Sequence, residues 1–205
     1  MKTDMSQAYR LVLFSALAGL ILGGACLWLG ISEGAIAFWG FGGAWLLQVP
    51  PALSLRGRIQ DGLGNSGLER ERLTLKTVSL FLRFLALGMA MASISALLGD
   101  HSPQSSITAL GLAVLAVLLL ASLWFAKQGA AKIHPALDMD AARARTMLEL
   151  AALLLVGSLL GRWFPWADAV TGLAMALRLF LEGRSLAKTS TLPAAACGGC
   201  GGSCH

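Results

Sequence analysis

The chain is short of charge. Only 13% of its 205 residues are Asp, Glu, Lys or Arg, and 56% are hydrophobic, whereas a soluble domain carries roughly 25% charged residues. With a mean hydropathy of +0.70, this deficit excludes a water-soluble globule. Tyrosine is short too, with one residue. Basic and aromatic residues nowhere interleave along a polar stretch, so a nucleic-acid partner is not expected. Cysteine is almost absent from the body: Cys26 stands alone and the other three lie in the last nine residues, which excludes a disulfide framework. The chain shows no paired acids, no Ser/His/Asp set and no phosphate-binding loop. Its three histidines, His101, His134 and His205, are dispersed. An enzyme is not expected.

What is present is apolar sequence in runs long enough to cross a bilayer, about 20 residues each as helix. The first runs from Leu11 to about Gly30. It exceeds the ~7–15 residues of a signal-peptide core, so it reads as an uncleaved span. After the turn Ser32-Glu33-Gly34, the second covers about Ala35–Leu53 and ends at Pro50-Pro51, which kink or stop a helix. A polar interruption from Arg56 to Lys76 reads as a loop followed by a charged helix start. The third span is about Leu75–Leu98 and the fourth Ile107–Ala126. Lys127 to Arg145 reads as a second polar connection, and the fifth span as Thr146–Leu160. The sixth begins at the aromatic turn Trp163-Phe164-Pro165-Trp166, of the kind that settles at a membrane–water interface. It passes Asp168, expected to cap this helix, and leaves through Glu182, Arg184 and Leu186.

Lys and Arg set the orientation. With both ends inside, the cytoplasmic face holds Lys2, Arg10, Arg56, Arg58, Arg70, Arg72, Lys76, Lys127, Lys132, Arg143, Arg145, Arg184 and Lys188, and the opposite face only Arg162. The expectation is an all-α membrane protein: a six-helix transmembrane bundle over residues 1–188, N-in and C-in, then a cytoplasmic tail over 189–205. Such a protein would be multi-pass in the plasma membrane, or the inner membrane of a bacterium. The tail holds Cys197, Cys200, Cys204 and His205 among glycines. Three thiols and an imidazole at this spacing can close around zinc or Cu(I), and cytoplasmic thiols stay reduced. The alternative is an exposed, redox-labile tail with no steady ligand.

The stretch Trp166-Ala167-Asp168-Ala169…Leu181-Glu182-Gly183 resembles the last span of the cation diffusion facilitator family, in its short form without the cytoplasmic domain. Gly34-Ala35-Ile36-Ala37-Phe38-Trp39-Gly40-Phe41-Gly42 is similar to the start of that family's second helix. The resemblance implies a six-helix transporter of divalent or heavy-metal cations, usually dimeric and driven by proton exchange. It also implies two ligands four residues apart on the second helix and two on the fifth. Here the second-helix positions fall on Ala44 and Gln48. Alanine cannot ligate, and Gln48 offers a neutral carbonyl oxygen. On the fifth helix no acid or His pair has the spacing, since Asp140 is followed by Ala144 and Glu149 preceded by Arg145. The transport site is therefore missing or rebuilt.

The candidate path residues are Gln48, Asp140, Glu149 and Asp168. Glu149 is costly inside a bilayer unless paired, and its partner would be Arg145 or Arg83. Arg83 would counter Glu149 or Glu182, or else mark an anion path, and Glu182 would pair with Arg178 or with a cation on the cytoplasmic side. Glycines 23, 24, 40, 42, 43 and 172 would let helices approach closely, and Met89, Met91 and Met175 read as packing. Two functions follow. The first is export of zinc or copper, with the tail capturing the ion. The second is a non-transporting membrane subunit or anchor whose tail binds or delivers metal. The partners are lipid, a metal cation, and a second copy or another membrane protein.

Overall fold

Apolar periodicity becomes helix throughout. A computed structural model of the protein describes residues 2–60, 68–99, 106–131 and 135–191. Within them the elements are α1 (Lys2–Glu33), α2 (Ile36–Leu47), α3 (Val49–Gln60), α4 (Leu68–Leu98), α5 (Ile107–Ala131), α6 (Pro135–Leu160) and α7 (Ala167–Thr191). No strand occurs among the described residues. The α2 and α3 segments make one span broken at Gln48, so the described residues form six helical spans. Three stretches, Tyr9–Glu33, Glu69–Leu98 and Ile107–Gly129, are long and apolar enough to cross a membrane by length and composition alone.

The break after α2 has a local cause. Pro50 and Pro51 carry no N–H, so the carbonyls of Leu46 and Leu47 lose their donors four residues on. The turn tightens instead, and the Gln48 N–H bonds Trp45 O at 3.0 Å, three residues back. The two prolines then sit in the first turn of α3, where a missing N–H costs least. Between α1 and α2 the chain reverses through Gly34 at φ 68°, a backbone conformation that glycine adopts freely.

Spans α4 and α7 pack together, as do α5 and α6. Helix α2 sits inside, touching α1, α4, α6 and α7. Its core side chains Phe38, Phe41, Ala44 and Trp45 meet Leu82 and Met89 of α4, Leu150 and Leu154 of α6, and Met175 and Leu179 of α7. Cys26 is fully buried in the same core, so α1 is packed in as a structural span. Met89 and Met175 are buried too, while Met91 is exposed. The outward faces carry large apolar side chains, among them Trp28, Leu80, Phe84, Leu118 and Leu177. Such a surface calls for lipid rather than water.

The connection expected over Lys127–Arg145 is mostly helix. Helix α5 runs on to Ala131 and α6 begins at Pro135, eleven residues before the expected Thr146. Proline is well suited to open a helix, and Asp138 lies in the first turn, where an acid meets the positive end of the helix dipole. The charges that suggested a loop are instead placed on packed helices. Likewise α7 starts at Ala167, after the aromatic turn, whose Trp163, Phe164 and Trp166 are all exposed.

Candidate functional site

Helix directions bring the start of α6 and the ends of α2 and α5 to one end of the bundle, with α1 beside them. There a cavity of about 40 Å³ is lined by Ser15, Trp45, Gln48, Lys127, Asp140 and Arg143, closed by Leu120, Ala144 and Met147. The helix break puts Gln48 on its wall. Across it, Lys127 Nζ lies 2.7 Å from Asp140 Oδ2, with the two side chains 9% and 7% exposed. Arg143 is buried as well, and its Nε donates to the Met139 carbonyl at 3.4 Å. One carboxylate is thus paired with Lys127 beside a second buried cation, in a space with room for a few water molecules or a small ion.

The cavity unites Gln48 and Asp140 from the expected path. It does not include Glu149, which lies nine residues after Asp140 and so about half a turn round α6. Glu149 Oε1 accepts from Arg145 Nε at 3.2 Å, and its Oε2 from Arg178 Nε at 2.8 Å. Arg178 Nη2 donates to Thr146 Oγ1 at 3.1 Å, and Thr146 donates to Glu182 Oε2 at 3.1 Å. Arg178 Nη1 also lies 3.7 Å from Glu182. This network ties α6 to α7. Both expected pairs, Glu149 with Arg145 and Glu182 with Arg178, are present.

Arg83 counters neither of the carboxylates expected of it. Its Nη2 reaches the Gly183 carbonyl at 3.4 Å, and its Nε is buried without a partner. The reason is the close approach of α4 to α7. A Cβ on Gly183 would stand 2.9 Å from Arg83 Cγ and 3.0 Å from Ser79 O, so the Arg83 stem packs over Gly183 and past the carboxylates.

Asp168 lies at the opposite end and caps a different helix from the one expected. Its Oδ2 accepts from the Ile36 N–H at 2.8 Å and its Oδ1 from the Ala37 N–H at 3.2 Å. Both belong to the first turn of α2, whose own N-cap, Ala35, has no side-chain acceptor. The free donors and positive end of that helix would otherwise be unsatisfied. Nearby, Glu33 accepts from Ser106 Oγ at 2.6 Å and, with Ser158 and Asp168, lines a second cavity of about 20 Å³. Asp168→Ala is expected to cost about 1–2 kcal/mol, the upper range for a lost cap. Asp168→Asn, which keeps one carbonyl acceptor, is expected to cost about half that. Thermal unfolding in detergent measures both.

Cys197, Cys200, Cys204 and His205 lie outside the described residues, as do His101 and His134. Among the described residues no group of three or more His, Cys, Asp or Glu side chains could hold a metal ion. Lys127 and Arg143, which by charge alone belong to the cytoplasmic connections, are buried members of the site, and of the two Lys127 carries a sequence signal. Its signal was the stripe Ala109, Ala113, Ala116, Leu120, Leu123, all buried and three or four residues apart, which Lys127 continues.

Residues 69–192, from the start of α4 to the end of α7, match the family model described as the cation efflux transmembrane domain. No curated protein matches the chain.

Proposed function

The chain belongs to the cation efflux family, its match spanning residues 69–192, and from that premise we propose that it exports zinc or copper from the cytoplasm. The membership makes it a multi-pass membrane protein of a family of cation transporters rather than enzymes. The ion identity, the route and the membrane are the proposal. The observation that carries it is the cavity in which Gln48 and Asp140 meet, at the end of the bundle where Lys and Arg residues gather and where the charge rule puts the cytoplasm.

Cys197, Cys200, Cys204 and His205 would take the cargo first, as thiolate and imidazole ligands suited to soft or borderline ions. Asp140 and Gln48 would receive it next. Oxygen ligands hold such ions less tightly than thiolates do, so the bundle site favours onward release. Glu149 would keep α6 and α7 in register, and Asp168 would hold the far end of α2. The plasma membrane, or a bacterial inner membrane, and a homodimeric state complete this reading.

A second reading has its own support. Ala44 and Ala144 stand where a four-ligand cage would need side chains, and Lys127 already neutralises Asp140. On that reading the bundle is a scaffold and the tail binds or delivers metal to a partner membrane protein.

Uptake into sealed vesicles separates the two. The purified chain is tested with Zn²⁺ and with Cu(I), with and without a proton gradient. Export predicts gradient-dependent accumulation that Asp140→Asn lowers at least tenfold. Cys197/Cys200/Cys204→Ser would raise the concentration giving half-maximal uptake. Stoichiometric binding without flux, lost on replacing the cysteines, rejects export and leaves the scaffold.

A further inference from the structure

The cavity beside Gln48 holds a cation of the protein's own. Lys127 Nζ sits 2.7 Å from Asp140 Oδ2, and both side chains are more than nine-tenths buried. A charge that is out of water must be paired, and the pair fills the one carboxylate that lines this space. Arg143 lines it too, buried, with its Nε donating to the Met139 carbonyl and its charge within electrostatic range of Glu182. A divalent ion entering here would meet the Lys127 ammonium at Asp140 and a second cation, Arg143, on the same wall, at a depth where charges are poorly screened. Asp140 is thus taken, and its surroundings repel the ion that would take it over.

The lysine is anchored in a way that fits this role. It stands on the last turns of α5, one step beyond the buried stripe that ends at Leu123, near the cytoplasmic end by the charge rule. Its four-carbon stem can lie along apolar wall while the ammonium swings. Rotation about that stem is the motion that would take the ammonium off Asp140, and Gln48 lines the same wall with a carbonyl oxygen to offer.

We infer that Lys127 is the specificity-determining residue of this cavity: its ammonium occupies the cargo's place at Asp140, and a divalent ion binds there only where that ammonium is withdrawn. The word cargo rests on the export reading, but the occupancy of Asp140 does not.

The test reads binding rather than flux. The full chain carries Cys197/Cys200/Cys204→Ser and His205→Ala, so that the tail binds nothing. Co²⁺ is the probe, followed by calorimetry and by the visible spectrum of the bound ion. The parent is expected to leave the bundle empty. Lys127→Gln is expected to bind one Co²⁺ at least tenfold more tightly, and its thermal midpoint is expected to rise with Co²⁺ while the parent's does not. Adding Asp140→Asn is expected to remove the gain, and Lys127→Arg to bind no better than the parent. Equal affinity in parent and Lys127→Gln overturns the inference, as does a gain that survives Asp140→Asn. A Lys127→Gln chain that folds neither with nor without Co²⁺ also overturns it, because the pair is then a packing requirement that no metal can replace. Failure here leaves the vesicle result untouched, and absence of uptake leaves this one standing.

Discussion

Gly42→Val is expected to prevent the chain from accumulating as a folded membrane protein, while Gly24→Ala, on the same pair of helices, leaves it unchanged. At Gly42 a Cβ would fall inside van der Waals contact of the Leu27 N, 2.6 Å from Gly23 O and 2.9 Å from Leu27 Cα. All three are backbone atoms of α1, so no side chain can rotate away. Gly30 presents the reciprocal contact: its Cβ would meet Trp39 N, and would stand 2.8 Å from Phe38 C. The two backbones therefore touch at two levels, as small residues permit in membrane helices. Relief requires α1 to move off α2 as a body. That would open the core around Cys26, Phe38 and Trp45, all at most 3% exposed. The cost should reach or exceed the roughly 3 kcal/mol upper end of ordinary overpacking. Gly24 has nothing within 4 Å of the same hypothetical atom, so an added methyl there meets open space. Size-exclusion profiles of fluorescently tagged variants, with thermal midpoints for those that survive, measure the difference. A Gly42→Val chain as stable as the parent would mean that α1 and α2 are not packed backbone to backbone.

These glycines mark how far the sequence reaches. Of the six glycines expected to allow close approach, 23, 40, 42 and 172 do so; Gly43 makes only ordinary contact with Leu85, and Gly24 faces open space. Gly30, Gly157 and Gly183 were not among the six, although a Cβ on Gly157 would stand 2.8 Å from Thr171 Cβ. Whether a glycine faces a neighbour depends on the azimuth of its helix, which one chain's periodicity leaves open when glycine itself contributes little to the pattern. The six spans were legible for the opposite reason: apolar runs of bilayer length have few other uses. Asp168 was recognisable as a cap, but its beneficiary was not. It belongs to α7 and serves α2, and the partners are more than 130 residues apart. The charges after Lys127 suggested a loop because lone charges are rare in packed helices. Asp140 and Lys127 are tolerated there because each neutralises the other, and that pairing joins two helices. What the sequence did carry was position: Lys127 extends the buried stripe of α5, and Asp140 lies three residues after the buried Leu137 on α6.

Arg178→Met should destabilise the bundle by about 1–2 kcal/mol, between an exposed pair and a fully buried one. Arg178 is the one cation that reaches both Glu149 and Glu182 among the described residues, at 2.8 Å and 3.7 Å, and it also donates to Thr146. Without it Glu149 keeps Arg145 and is 40% exposed at its side chain, so its loss is partial. Glu182 is the costly one. It is 9% exposed, and Thr146 would be its remaining hydrogen-bond donor. An ionised carboxylate held that deep, with one neutral hydrogen-bond partner and the Arg143 charge at longer range, is poorly solvated. Removing the charge it leaves behind should therefore restore much of the stability. Arg178→Met combined with Glu182→Gln is expected to recover more than half of the loss, whereas Arg178→Met with Glu149→Gln recovers less. Arg178→Lys should fall between, since an ammonium keeps the charge but cannot present the guanidinium's several donors to three acceptors at once. Chemical or thermal unfolding of these four variants, together with the Glu182→Gln and Glu149→Gln single variants, in one detergent gives the coupling energies directly. If the two double variants recover equally, the burial difference between the carboxylates does not govern the network. If Arg178→Met costs nothing, α6 and α7 are held by their apolar contacts alone, and the carboxylates of Glu149 on α6 and Glu182 on α7 serve another role at the seam between the two helices.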